Sequence, residues 1–208
     1  MTRRLLATLG FSLVMALPLA AQVPAALVPT ESMAGQTVAV VPITLVVADP
    51  ALSADTVYAP YRVRRTTLLW ADSVIGDALT GRAPEVNWVL PPKLRKMARR
   101  APGLVGDPDQ MGQAVMRAPN LKIIPDPLRA NLRSLVALTN GRIVMVPAAL
   151  GFSRDTTGAV RADLSLVLAD ARSGKVVWRS QAVGAGDTPG AALETALAAI
   201  LPLESTRP

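Results

Sequence analysis

From residue 37 onward the chain alternates between short β-branched apolar runs and stretches where apolar residues recur every three or four positions. Thr37–Val47 (TVAVVPITLVV) is apolar on both faces, as in a central strand buried on two sides. Pro42 has no N–H to give to a ladder, so the strand must end, bulge or lie at an edge there. Residues 48–65, with Asp49-Pro50 and Pro60, read as a long loop. Thr66–Arg82 places Leu68, Ala71, Ile75, Ala78 and Leu79 on one helical face, and Gly81 and Pro84 end it. Val86–Leu90 is a short strand. Pro91-Pro92 then opens a helix with Leu94, Met97 and Ala98 inward. Asp107-Pro108 supplies an N-cap and first-turn proline for a helix expected to run through Arg117, with Met111, Ala114 and Val115 buried. Asp126-Pro127 repeats the device for Leu128–Leu138.

The period changes after Arg142. Ile143–Phe152 reads as a strand interrupted at Pro147, and Val160–Ala169 alternates with Leu164, Leu166 and Leu168 on one face. Asp170-Ala171-Arg172-Ser173-Gly174 has hairpin-turn chemistry, Gly174 supplying the positive φ, and Lys175–Val183 returns as a strand. Thr188-Pro189 caps a last helix with Leu193, Leu197, Ile200 and Leu201 on its apolar face. The fold class expected is α/β (α+β), a small mixed sheet flanked by helices in the order β-α-β-α-(α)-α-β-β-β-α.

The start of the chain has another character. Arg3 and Arg4 precede an uncharged apolar run, Leu5–Leu17, and Pro18 leads to small residues ahead of Gln22. This is secretory signal-peptide grammar, and the run of about 13 residues is short of the ~20 needed to span a bilayer. The expected organisation is a signal peptide at 1–21, a linker at 22–36, one α/β domain at 37–203 and a tail at 204–208. The protein is expected to be exported, periplasmic or extracellular, and soluble once the signal is cleaved. An uncleaved anchor is the alternative.

Composition narrows the chemistry. The chain has no Cys and no His. That removes disulfides, thiolate nucleophiles, histidine general bases and the commonest metal ligands. No metal or other cofactor is expected. Taking Arg3 and Arg4 from the 22 basic residues leaves 20 against 15 acidic ones, a net +5. Only 3% of the chain is aromatic, so the stacking side chains that accompany basic residues on nucleic-acid surfaces are missing, and no nucleic-acid partner is expected.

Lys93, Arg95, Lys96, Arg99 and Arg100 form the densest charge cluster, on one predicted helix. It fits first the wet side of an amphipathic helix, and as the alternative a docking face for an acidic partner or an anionic membrane surface. Other constellations are weaker. Gly184–Gly190 precedes a helix but lacks the Gly-Lys-Ser/Thr of a phosphate loop. Asp107 is accounted for as a cap beside Asp109. Asp72 and Asp77 point about 140° apart on a helix turning roughly 100° per residue. Asp155-Thr156-Thr157-Gly158 reads as a hairpin tip, and Trp70, Trp88 and Trp178 as core packing.

The strand from Arg142, the alternating strand after it and the hairpin Ala169–Trp178 (ADARSGKVVW) resemble the α/β domain shared by the CsgG curli secretion protein, the TolB amino-terminal domain and the LpoB-type activators of penicillin-binding proteins. The early strand Val38–Val41, the helix Thr66–Arg82 and the final helix fit the same order. The chain departs from these proteins in having no lipidated cysteine and no long membrane-crossing strands, and residues 101–127 look like an extra helix and loop. The resemblance implies an adaptor or assembly component without catalytic residues, so no functional position carries over. Together with the missing catalytic inventory it leads to the expectation of a non-catalytic binding or scaffold module of a cell-envelope assembly with a protein partner. Two surfaces could serve it: the edge strand of the C-terminal hairpin, by strand addition, and the basic helix. The alternatives are a hydrolase using Ser/Lys or paired carboxylates, and a small-ligand carrier.

Overall fold

A computed structural model describes residues 25–203; the expected signal peptide and the tail from 204 lie outside the described residues. Six strands form a mixed sheet: β1 (Thr37–Val40), β2 (Val46–Ala48), β3 (Asn87–Val89), β4 (Ile143–Arg154), β5 (Val160–Asp170) and β6 (Lys175–Gly186). The sheet order is β3-β1-β4-β5-β6, and β2 also pairs with β4. β1 runs parallel to both β3 and β4, whereas β4, β5 and β6 form an antiparallel meander. The mixed α/β class read from the sequence is therefore the one observed.

Alternation along β1 divides the core. Val38 and Val40 face one side with α2 (Arg64–Arg82) and α5 (Pro189–Ile200); Ala39 and Val41 face the other with α3 (Pro91–Arg100) and α4 (Leu128–Leu138). Ala71, Ile75 and Leu79 of α2 and Leu193 and Leu197 of α5 fill the first layer. Leu94 of α3 and Leu128, Leu132 and Leu135 of α4 fill the second. Val28 and Met33, in the stretch read as linker, are buried in the first cluster, and Val28 donates its N–H to Ile200 O at 2.9 Å.

Pro42 acts where the sequence placed a break. The strand stops at Val40 and resumes at Val46, still against β4. Side chains satisfy the backbone exposed between them: Gln113 Nε2 donates to Pro42 O at 2.8 Å, and Ile43 N–H donates to Asp72 Oδ1 at 2.8 Å. Pro147 leaves β4 continuous and produces a bulge between Pro147 and Ala149.

Three local expectations change. The helix expected over 107–117 is a pair of 3-10 turns, Pro108–Gln110 and Gln113–Arg117, separated by Gly112 at φ 73°. The buried residues there are Pro108, Met111, Gln113 and Met116, while Val115 is exposed. The 48–65 loop carries α1 (Pro50–Ala54) and a 3-10 turn (Thr56–Tyr61), capped in succession by the Asp49 and Asp55 carboxylates. At Asp126-Pro127 the bond is cis and Pro127 itself occupies the N-cap, so Asp126 makes no cap and instead pairs with Arg129 at 3.6 Å. The other caps hold: Thr188 accepts from Ala191 N, and Gly174 closes the hairpin at φ 75°.

Candidate functional site

The basic cluster of α3 divides between water and protein. Lys93, Lys96, Arg99 and Arg100 are exposed, and none has an acidic partner among the described residues. Arg95 turns inward: its Nη2 lies 2.6 Å from Asp72 Oδ2 and 2.7 Å from Asp109 Oδ1, and its Nε lies 2.9 Å from Asp109 Oδ2. Asp72 is almost wholly buried, its side chain 4% exposed. Burial pushes its carboxyl up to about 6, against the lowering pull of the Ile43 N–H and of Arg95. Arg95 is held protonated above its ordinary value, mainly by its hydrogen bonds to Asp109. The triad ties α2, α3, the 108–110 turn and the β1–β2 break together. Both Asp72 oxygens are engaged, Oδ1 by the Ile43 N–H and Oδ2 by Arg95, and Arg95 spans the two carboxylates, which makes the triad a structural clamp.

Asp107 accepts from Asp109 N, and Asp77 is exposed on a different side of α2 from Asp72. Asp155 accepts from Thr157 N and Ala159 N in the β4–β5 turn. Lys93, Lys96, Lys122 and Lys175 are all exposed, whereas a lysine serving a serine nucleophile must be desolvated to lose its proton near neutrality. Of the tryptophans, Trp88 donates to Ala83 O at 2.9 Å, and Trp70 packs edge-on against Tyr61 with centroids 4.5 Å apart. Gly184 and Gly186 cradle no phosphate. A Cβ on Gly184 would come within 2.2 Å of Ala196 N and 2.3 Å of Ala192 O, so the glycine is there to let α5 lie directly on β6.

The ends of the sheet differ sharply. β3 is a short edge, flanked by Pro84 and by Pro91-Pro92, and short strands and prolines are standard protection against unwanted pairing. β6 is long, and only its first part is covered. Val176 N donates to Lys122 O at 2.9 Å, Ile124 N donates to Gly174 O at 2.8 Å, and Ile123 bridges Lys175. Arg179 closes this seal by donating to Met116 O at 2.5 Å and Leu121 O at 3.1 Å. Beyond it, Ser180-Gln181-Ala182-Val183-Gly184-Ala185-Gly186 has no partner on its outer side among the described residues and carries no charge and no proline.

The direction of the backbone groups follows from the ladder. Ala171 N bonds across to Arg142 O, and Val176 N points outward to Lys122. Ala169 opposes Val176 and Leu168 opposes Trp178, with one bulged residue between them. Alternation in an antiparallel pair then turns Ser180, Ala182 and Gly184 toward β5, and Arg179, Gln181, Val183 and Ala185 toward the open edge. The side chains of that second set stand on the sheet face beyond the reach of α4, beside half-buried Ala149, Asp163 and Ser165. There the 115–119 turn borders a cleft of about 480 Å³ lined by Val115, Arg117, Pro119, Ser165 and Gln181.

No protein-family model matches the chain, and no curated protein does. Solved structures similar to it include the LpoB C-terminal domain from Salmonella enterica, at 12% identity over 73% of this chain and 83% of that one, with a TM-score of 0.37. The PelC dodecamer from Paraburkholderia phytofirmans matches at 14% identity over 80% and 88%, TM-score 0.37. Lipoprotein GNA1162 from Neisseria meningitidis matches at 15% identity over 73% and 83%, TM-score 0.38. The first of these is of the LpoB type to which the hairpin was likened from its sequence.

Proposed function

We propose that this protein is an exported, non-catalytic interaction module of a cell-envelope assembly, and that it takes its partner by strand addition along the Ser180–Gly186 edge of β6. The observation that carries the reading is the contrast within a single strand. The chain seals the edge as far as Arg179 with its own 116–124 segment, then leaves an uncharged, proline-free run open. A strand added there gains main-chain hydrogen bonds for affinity and side-chain contacts on the exposed face for selectivity. The signal-peptide grammar at 1–21 supports the exported setting, and the missing His and Cys support the absence of catalysis. Lys93, Lys96, Arg99 and Arg100, exposed and without an acidic partner among the described residues, give the module a second flank suited to acidic or anionic surfaces.

The test is a photo-reactive residue placed at Gln181 or Ala185 in cells that make the protein, with exposed Arg133 of α4 as the control position. A discrete adduct from 181 and 185 and none from 133 is expected. The same products from all three positions, or none from 181 and 185, would contradict the reading.

A further inference from the structure

The open edge has a symmetry that specifies what it pairs with. In an antiparallel pairing centred on Val183, each residue meets the one equally far on the other side of Val183. Val183 meets its own copy, Gln181 meets Ala185, and Arg179 meets Asp187. All the inner residues are small or neutral, so no bulky or like-charged pair is forced together.

The ends of the segment are where charge decides. Asp187 is exposed and has no hydrogen bond or ion pair among the described residues. Arg179 donates only to carbonyl oxygens, and burial draws its guanidinium below its ordinary value. An incoming carboxylate therefore relieves both groups, and the two-fold supplies it twice. The ladder parity agrees: Arg179, Gln181, Val183 and Ala185 are the residues whose N–H and C=O face outward, so the central Val183 pair is of the hydrogen-bonded kind.

We infer that the occupant of this edge is a second copy of the chain, joined to the first as an antiparallel β6–β6 pair with its two-fold axis at Val183. The inference rests on the strand-addition reading above and adds to it the identity of the partner. The interface is isologous, the commonest closed arrangement of soluble oligomers, and it makes one continuous sheet from two copies.

The absence of cysteine allows a register-specific test on the protein isolated from producing cells. Hydrogen-bonded antiparallel partners have Cα atoms about 5.5 Å apart, inside the disulfide range of roughly 4.4–6.8 Å. Val183→Cys is expected to oxidise to a dimer alone. Gln181→Cys and Ala185→Cys are expected to cross-link only when mixed, since like positions stand roughly 13 Å apart at ~3.3 Å per residue. Mass measurement of the unmodified protein should show a concentration-dependent shift toward twice the chain mass. Val183→Pro, which removes an outward N–H that an edge strand can spare, should abolish that shift while circular dichroism stays unchanged.

A purely monomeric protein without a Val183→Cys cross-link overturns the inference. So does cross-linking of Gln181→Cys with itself as readily as with Ala185→Cys. If the protein is monomeric and photo-cross-linking in cells still captures a different chain at 181 and 185, the strand-addition reading stands and only the identity of the partner falls. If nothing is captured either, both fall.

Discussion

Replacing Asp72 by Asn tests the clamp between the helices, because Asp72 is a buried carboxylate whose environment opposes its charge. Its side chain is 4% exposed, and its carboxyl rises from 3.8 to about 6 although Arg95 lies 2.6 Å away. Burial in a poorly polarisable layer exceeds the stabilisation supplied by one N–H and one guanidinium that is already shared with Asp109. The rise corresponds to about 3 kcal/mol at roughly 1.36 kcal/mol per pH unit. Because the folded carboxyl binds its proton more tightly than the unfolded one, this stability is fully present below pH 3.8 and is lost as pH climbs through 6.

Little else interferes in that window. The chain has no His. The carboxylates with depressed values, Asp170, Asp55 and Asp155, lose their contributions only at pH below the ordinary carboxylate value. Urea unfolding followed by tryptophan fluorescence, repeated across the pH 4.5 to 7.5 range, should therefore show stability falling by about 2 kcal/mol, the share of the full contribution still present at the acid end of that range. In Asp72→Asn the amide oxygen still accepts from Ile43 N, and the curve should be flat across the same range. A wild-type protein whose stability holds or rises through pH 6, or a variant that keeps the slope, would refute the reasoning.

Two glycines provide a packing test with opposite signs. Gly184→Ala drives a methyl into the α5 backbone at 2.2–2.3 Å, and overpacking of this kind costs about 1–3 kcal/mol or more. Gly81, inside α2, has nothing within 4 Å of an added Cβ, so Gly81→Ala should raise stability by about 0.5–1 kcal/mol. Thermal unfolding of both variants reads the difference directly.

Much of the architecture was legible because it is written locally. Thr188-Pro189 names a helix start, Gly174 a hairpin turn, and the alternation of Leu164, Leu166 and Leu168 a strand with those leucines on one face; all three are found, although β5 also buries Val167 and Ala169 on its other face. Pro42 correctly marked a break, but nothing nearby announced that Asp72 and Gln113 would satisfy it. The 107–117 stretch misled because an aspartate and a proline at the start outweighed Gly112, whose positive φ splits the segment into 3-10 turns. Gln113 was overlooked as a polar residue in a helical pattern, yet it is fully buried.

Arg95 was indistinguishable from its neighbours in α3 by spacing. Its partners Asp72 and Asp109 lie 23 and 14 residues away, and long-range pairs leave no periodic trace. The hairpin edge was named as a surface from sequence, but which part of it is open was not. That depends on the 116–124 segment folding back on β6, a contact fixed by tertiary packing. The uncharged run from Ser180 to Gly186 was the available signal.

The open edge itself is tested most directly by residue-resolved hydrogen exchange of the β6 amides in dilute protein. The account predicts an alternating pattern: Gln181, Val183 and Ala185 exchange fast, Ala182 and Gly184 are protected by β5, and Val176 is protected by Lys122. Raising the protein concentration or adding the partner should slow the fast set alone. Uniform protection from Ser180 to Gly186 in the dilute monomer, or fast amides that stay fast when a partner binds, would contradict it.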